Sequence, residues 1–171
     1  VRDTKLGRAL VERAGDAEVL ARIHRVASEL NAQGLRVVAV ASRSLKVDEQ
    51  KPAYGVTDES GLTLLGYVAF LDPPKESTAP ALRALAEHGV AVKVLTGDNE
   101  LVTRKVCGDV GIDAGRIVLG REIEALRDAE LRALVERHQV FAKLAPAHKE
   151  RIVHALHANG HVVGFMGDGI N

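Results

Sequence analysis

The 171-residue sequence predicts an α/β fold, a parallel sheet with helices on both faces, preceded by a smaller α+β segment. Three observations carry that prediction. In the second half, the short apolar runs VAVKVL, VFAKL and HVVGFM alternate with helical stretches, the pattern of strands joined by crossover helices. Pro73 and Pro74 hold their segment extended and mark a boundary with a first half of different pattern. The composition, 46% hydrophobic and 27% charged, supplies enough apolar side chain for a packed core.

The elements follow in order. From Asp16 to Gln33, residues Val19, Leu20, Ile23, Val26, Ala27 and Leu30 recur at helical spacing, and Gly34 stops the helix. Leu35–Ala41 reads as a strand. Leu45–Gly61 is a polar connection punctuated by Pro52, Gly55 and Gly61. Leu62–Leu71 is a second strand, ending in Asp72-Pro73-Pro74-Lys75. Ser77–Glu87 is a helix with Ser77 or Thr78 as its cap and Leu82 and Leu85 facing inward. Val90–Leu95 is a strand, and Glu100–Val110 a helix closed by Gly111. Glu122–His138 is a charged amphipathic helix, Val140–Leu144 a strand, Ala147–Asn159 a helix entered through Pro146, and His161–Met166 a strand.

Charge and cysteine content narrow the function. Lys plus Arg and Asp plus Glu number 23 each, so bulk electrostatic binding to nucleic acid or an anionic membrane is not expected. Cys107 is the single cysteine and cannot form an internal disulfide, which points to a reducing compartment. No apolar stretch approaches the ~20 residues that span a bilayer, and the opening VRDTKLGRAL is not expected to act as a signal peptide.

Ligands of parallel sheets bind at the carboxyl ends of the strands, and three loops there carry suitable chemistry. Thr96-Gly97-Asp98-Asn99 offers a hydroxyl and backbone N–H groups for an anion, with a helix N-terminus behind it; it is equally ordinary turn chemistry. In Lys143-Leu144-Ala145-Pro146-Ala147-His148-Lys149, Lys149 falls in the first turn of a helix and opposes its macrodipole, a misfit that a bound phosphate offsets; the plain alternative is a solvated lysine. Asp168, between Gly167 and Gly169 at a strand end, suits a hard cation such as Mg2+, or is a simple turn. Cys107 reads as a small core residue, and His154 and His157 as surface residues. Hydroxyl, lysine and carboxylate leaving one sheet edge describe a phosphoryl site with a divalent metal. A covalent phosphoryl transfer also needs a nucleophile at a strand end, and the residues supply no good candidate.

FLDPPK, LTGDN, FAKLAPAHKERIV and VVGFMGDGIN, in that order, resemble the cytosolic motifs of P-type cation-transporting ATPases, whose phosphorylation domain belongs to the haloacid dehalogenase superfamily. NAQGLRVVAVA, LGYVAFLDPPKESTAPAL and KERIV are most similar to bacterial magnesium-transporting members. The resemblance covers essentially the whole chain. It implies a Rossmann-like, haloacid-dehalogenase-like sheet lacking its nucleophile strand, together with a remnant of the nucleotide-binding domain. Residues 1–68 would be the C-terminal part of the nucleotide-binding domain and residues 69–171 the second part of the phosphorylation domain. The family's phosphorylated aspartate lies in a DKTGT motif that does not occur here, nor does its adenine-site KGA motif.

The resemblance also implies roles by position. Arg36 matches the arginine that contacts the nucleotide phosphates, and Asp72 and Lys75 match the interdomain hinge. Thr96, Gly97 and Asp98 match the loop that holds the transferred phosphoryl group. Lys149 matches the lysine that neutralises phosphoryl charge, Asp168 the Mg2+ ligand, and Asn171 an amide to the phosphoryl oxygens; Lys143 stands near the phosphate edge. ATP and Mg2+ are the implied cofactors. The implied partners are the membrane helices, the actuator domain and the first part of the phosphorylation domain of the same protein, at a bacterial inner membrane, with no nucleic acid. Two other functions share these loops: a soluble haloacid-dehalogenase-type phosphatase, and a non-catalytic phosphate- or nucleotide-binding module. The chain alone is expected to be inactive, and the missing central strand to favour rearranged strand order, strand swapping or an oligomer.

Overall fold

The computed structural model describes residues 17–45 and 51–167. The chain divides into two compact units, residues 1–72 and 73–171.

In the first unit, helix α1 (Ala17–Ala32) precedes strands β1 (Arg36–Ser42) and β2 (Thr63–Phe70). The strands pair antiparallel from Arg36 opposite Phe70 to Ser42 opposite Thr63, with a register shift at Val40/Ala41. Helix α1 packs on β1, burying Ala27 and Asn31, and Tyr67 Oη donates to the Ile23 carbonyl at 3.3 Å. Gly34, at φ 86°, closes the helix, and the Leu35 N–H returns to the Leu30 carbonyl at 3.1 Å. A left-handed residue is required for that closure, and glycine adopts it without a steric cost. Among its described residues, the polar connection carries a 3-10 turn at Val56–Asp58, held by Lys51 Nζ at 2.5 Å from Asp58 Oδ1.

The second unit is a three-stranded parallel sheet in the order β3-β5-β4, where β3 is Val94–Leu95, β4 Val118–Leu119 and β5 Val140–Ala142. Around it lie helices α2 (Thr78–Glu87), α3 (Glu100–Asp109), α4 (Gly120–Ala125), α5 (Asp128–Arg137) and α6 (Pro146–Ala158). Side chains alternate across a strand, and the core follows that alternation. Phe141 and Val118 join a cluster with Ile123, Leu131, Leu134 and Ile152, while Val140, Ala142 and Leu119 join another with Cys107 and Ile117. The expected sheet with helices on both faces is therefore present, and Cys107 is a core residue whose thiol burial pushes up in pKa.

Four expectations are corrected, and one strand was unexpected. Glu122–His138 is not one helix: Leu126 and Arg127 are extended and separate α4 from α5, and the Arg127 N–H donates to Glu130 Oε2 at 2.9 Å to start the second helix. Arg151 of α6 braces that corner, donating to the carbonyls of Ile123 and Leu126 at 2.8 Å each. The strand β4 was not foreseen; the three apolar residues Ile117–Leu119 are too short a run to show a period. His161–Met166 forms no strand. Val162 is fully exposed and Met166 is 97% exposed, and an apolar run becomes a strand only when neighbouring backbone satisfies its N–H and C=O groups. Ser77 occupies the cap position of α2 without a side-chain cap bond, because its backbone is already helical (φ −72°, ψ −12°) rather than extended. Leu85 of the same helix is exposed and Leu82 only half-buried, so this face is not covered by the described residues.

Candidate functional site

The site is built where β3 and β5 end. After β3, the Asp98 N–H donates to Thr96 Oγ1 at 3.1 Å, and Thr96 Oγ1 donates to Asp98 Oδ2 at 3.2 Å. Asn99 then caps α3, its Oδ1 accepting from the N–H groups of Leu101 and Val102 at 3.0 Å each. Those donors are spent on the cap, so the α3 N-terminus is less open to an anion than the sequence suggests. Gly97 is exposed. A Cβ there would meet only the Leu144 carbonyl oxygen, at an ordinary 3.5 Å. The fold itself thus leaves room for a side chain at Gly97, and its absence keeps the backbone approachable.

The two loops are tied to each other through the backbone. The Lys143 N–H donates to the Asp98 carbonyl at 2.8 Å and the Leu144 N–H to the Thr96 carbonyl at 3.0 Å. Lys143 is left-handed (φ 53°), an uncommon state for a residue with a side chain. Its Nζ lies 3.0 Å from the buried Oε2 of Glu100, an ion pair across the two loops. Burial opposes ionisation of Glu100, but a backbone amide bond and the Lys143 ammonium outweigh it and hold the carboxyl below its usual range.

Helix α6 starts directly after this loop, with Ala145 as cap, Pro146 in the first position and Lys149 in the first turn. Its third residue, His148, is buried. The Ala145 N–H donates to His148 Nδ1 at 3.0 Å, and His148 Nε2 faces Glu124 Oε1 at 3.0 Å. Opposite the ring stands Gly120, the first residue of α4: a Cβ there would lie 2.4 Å from the Lys143 carbonyl oxygen and 2.7 Å from His148 Nδ1. Glycine at 120 is thus a condition for this loop.

Of the residues singled out in the sequence, the structure brings Thr96, Gly97, Asp98 and Lys143 into one hydrogen-bonded loop pair, with Lys149 on the helix that leaves it. Lys143 is engaged by Glu100. Arg36, the first residue of β1, and Asp72 belong to the first unit and Lys75 to the second; all are exposed. Asp168 and Asn171 lie outside the described residues. Glu100, Gly120, Glu124 and His148 were not foreseen. The HKE stretch contained His148, but Glu124 and Gly120, which enclose its ring, are 24 and 28 residues away in sequence, and no local pattern reveals them. A cleft of about 580 Å³ in the first unit, lined by Arg43, Tyr54 and Asp58 among others, includes none of the site residues. Among the described residues there is no cluster of His, Cys, Asp and Glu able to hold a metal, and no helix long and apolar enough to cross a membrane.

Comparison with known proteins gives two results. The family described as haloacid dehalogenase-like hydrolase matches residues 2–171. Among curated proteins, the magnesium-transporting ATPase, P-type 1, of Escherichia coli (strain K12) is 59% identical over 156 residues, covering 91% of this chain and 17% of that protein. Its namesake in Salmonella typhimurium (strain LT2) is 58% identical over the same shares. A calcium-transporting ATPase of Bacillus subtilis (strain 168) is 33% identical over 162 residues, covering 94% of this chain and 17% of its own length. The chain therefore spans 17% of the length of these relatives.

Proposed function

The chain belongs to the haloacid dehalogenase-like hydrolases, and from that premise we propose that it works as the phosphoryl-handling part of a P-type ATPase that moves a cation, Mg2+ by likeness to the magnesium-transporting relatives above, across a bacterial inner membrane. The observation that carries the reading is the loop pair itself: a hydroxyl at Thr96, an approachable backbone at Gly97 and a cation at Lys149, gathered at the carboxyl ends of adjacent parallel strands.

The donor set fits a phosphoryl group. Thr96 and the Gly97 N–H hold its oxygens, and the Lys149 ammonium offsets its charge as the bond to the leaving oxygen lengthens, an electrostatic role that needs no proton transfer. Asp98 Oδ2 holds the Thr96 hydroxyl proton in this structure, and that proton turns from Asp98 to the phosphoryl oxygen on binding. Mg2+ is assigned to Asp168 and the phosphoryl oxygens, with Asn171 as a further donor; when bound, the ion supplies charge neutralisation. Arg36 takes the nucleotide phosphates, Asp72 and Lys75 form the hinge, and Lys143, released from Glu100, joins the nucleotide side. ATP is the phosphoryl donor, the acceptor aspartate comes from the remainder of the pump, and ion movement is coupled to formation and hydrolysis of the aspartyl phosphate. The outer edge of β3, unpaired among the described residues, suits one further strand from that remainder.

The test is phosphorylation. The full-length protein and, separately, this chain are incubated with γ-labelled ATP and Mg2+ and assayed for acid-stable, hydroxylamine-labile label. Label on the full-length protein, absent from this chain and strongly reduced by Lys149→Ala, is the expected result. Label on this chain, or steady release of phosphate from p-nitrophenyl phosphate by it, would replace the pump with a soluble phosphatase.

A further inference from the structure

Helices α4, α5 and α6 open in the same way. In each, the side chain of the third residue turns back to accept the N–H of the cap residue: Glu122 Oε2 from Leu119 at 2.9 Å, Glu130 Oε2 from Arg127 at 2.9 Å, and His148 Nδ1 from Ala145 at 3.0 Å. Two of these acceptors are carboxylates, which also complement the helix dipole. The third is an imidazole, and it opens the helix that carries Lys149.

The geometry restricts the state of that imidazole. Nδ1 accepts a hydrogen bond and so bears no proton; the proton sits on Nε2, which donates to Glu124 Oε1 at 3.0 Å. The ring is enclosed, with the residue only 8% exposed, in space left open by Gly120. Glu124 thereby selects the tautomer that leaves Nδ1 free to cap. A carboxylate at this position would cap equally well, but it would set an anion one residue from Lys149, at the place where phosphoryl charge must be bound.

We propose that His148 is a positioning residue for Lys149: it fixes the first turn of α6 against the Lys143–Ala145 loop while adding no negative charge to a phosphate-binding edge. This rests on the phosphoryl reading above. The residue touches no reacting atom. It acts by holding Lys149 in register, since displacements of about 1 Å cost up to a hundredfold in rate, and by adding no further anion beside the Glu124 carboxylate it already faces.

The experiment compares His148→Asn, His148→Glu and His148→Ala in the full-length pump. Orthovanadate, a phosphate analogue, is the inhibitor, and urea unfolding is the parallel measure of stability. Asparagine places an uncharged oxygen near the Nδ1 position and should keep vanadate inhibition within about threefold of wild type. Glutamate can cap but faces Glu124 with no proton to give it, so it should unfold more readily than asparagine and weaken vanadate inhibition by about tenfold, as expected for one like charge near the site. Alanine should lower both. Vanadate affinity that merely follows stability across the series, with glutamate no worse than asparagine, overturns the proposal. A wild-type protein that takes no label from ATP removes the pump reading, not the cap. The cap is then decided by the imidazole 15N shifts of His148 in the 171-residue chain: an Nε2–H tautomer with a protected Ala145 amide supports it, and an Nδ1–H tautomer overturns it.

Discussion

After β3 the chain turns on its own side chains; after β5 it turns on contacts brought from elsewhere. Within the seven residues Thr96–Val102, Thr96 and Asp98 satisfy each other and Asn99 satisfies the first N–H groups of α3, using hydroxyl, carboxylate and amide groups suited to short-range bonds. The Lys143–His148 loop has a left-handed lysine at its head and depends on Gly120 and Glu124 of α4, and on the carbonyls of Thr96 and Asp98. A loop of the first kind tolerates change in its surroundings and fails when its own residues change. A loop of the second kind fails when a distant residue changes.

The largest effect is expected at the remote support. Gly120→Ala places a Cβ 2.4 Å from a backbone oxygen, which cannot swing aside as a side-chain end can. Overpacking of this kind costs about 1–3 kcal/mol, measured by urea unfolding of the chain. A cost near zero would mean that the β5 loop relaxes freely and that the contrast is false. Next is Asn99→Ala, which removes an acceptor shared by two N–H groups. It should cost about 1 kcal/mol, and Asn99→Asp should recover most of it; a loss shared equally by the β5 loop in hydrogen exchange would argue that the β3 loop is not self-sufficient.

Smaller still is the Glu100–Lys143 pair. Both side chains are more than a third exposed, so Glu100→Gln should cost about 0–1 kcal/mol. The folded carboxyl lies below its usual 4.5, so its contribution is complete above that pH and is lost as the pH falls through the depressed value. The gap between wild type and Glu100→Gln should therefore close in acid, and a gap that widens would reverse the assignment. The least change in stability is expected at Gly97→Ala, whose Cβ meets one carbonyl at 3.5 Å. Unfolding should stay within about 0.5 kcal/mol of wild type while vanadate inhibition of the full-length pump is lost. Retained inhibition would take Gly97 out of the phosphate site.

The same contrast explains what could be read in advance. The β3 loop was legible because its chemistry is local: Thr96, Gly97 and Asp98 stand together in sequence and in space. So were the two strands of the first unit, though not their antiparallel pairing, and the helix closures at Gly34 and Gly111, which depend on a residue at the turn itself. The β5 loop was legible only in its lysines. Nothing around His148 indicates that its ring is enclosed, because enclosure comes from a glycine 28 positions earlier. The break between α4 and α5 was hidden for the same reason, since the apolar spacing runs through it and the guanidinium that stabilises it belongs to α6. The run His161–Met166 misled in the opposite sense: its sequence favours a strand, but strand formation is decided by a neighbour.

Arg151 has a mechanical consequence. It lies two residues beyond Lys149 on the same helix, and its guanidinium is fastened to the carbonyls of Ile123 and Leu126 and, at 3.1 Å, to Asp128 Oδ1. Helix α6 is therefore keyed to the α4–α5 corner like a shaft in a slotted collar. It cannot spin or slide to follow Lys149 without dragging that corner along. Any pull exerted on the lysine becomes torque on residues 123–128, and amide exchange there should slow when vanadate engages the lysine at the far end of the key.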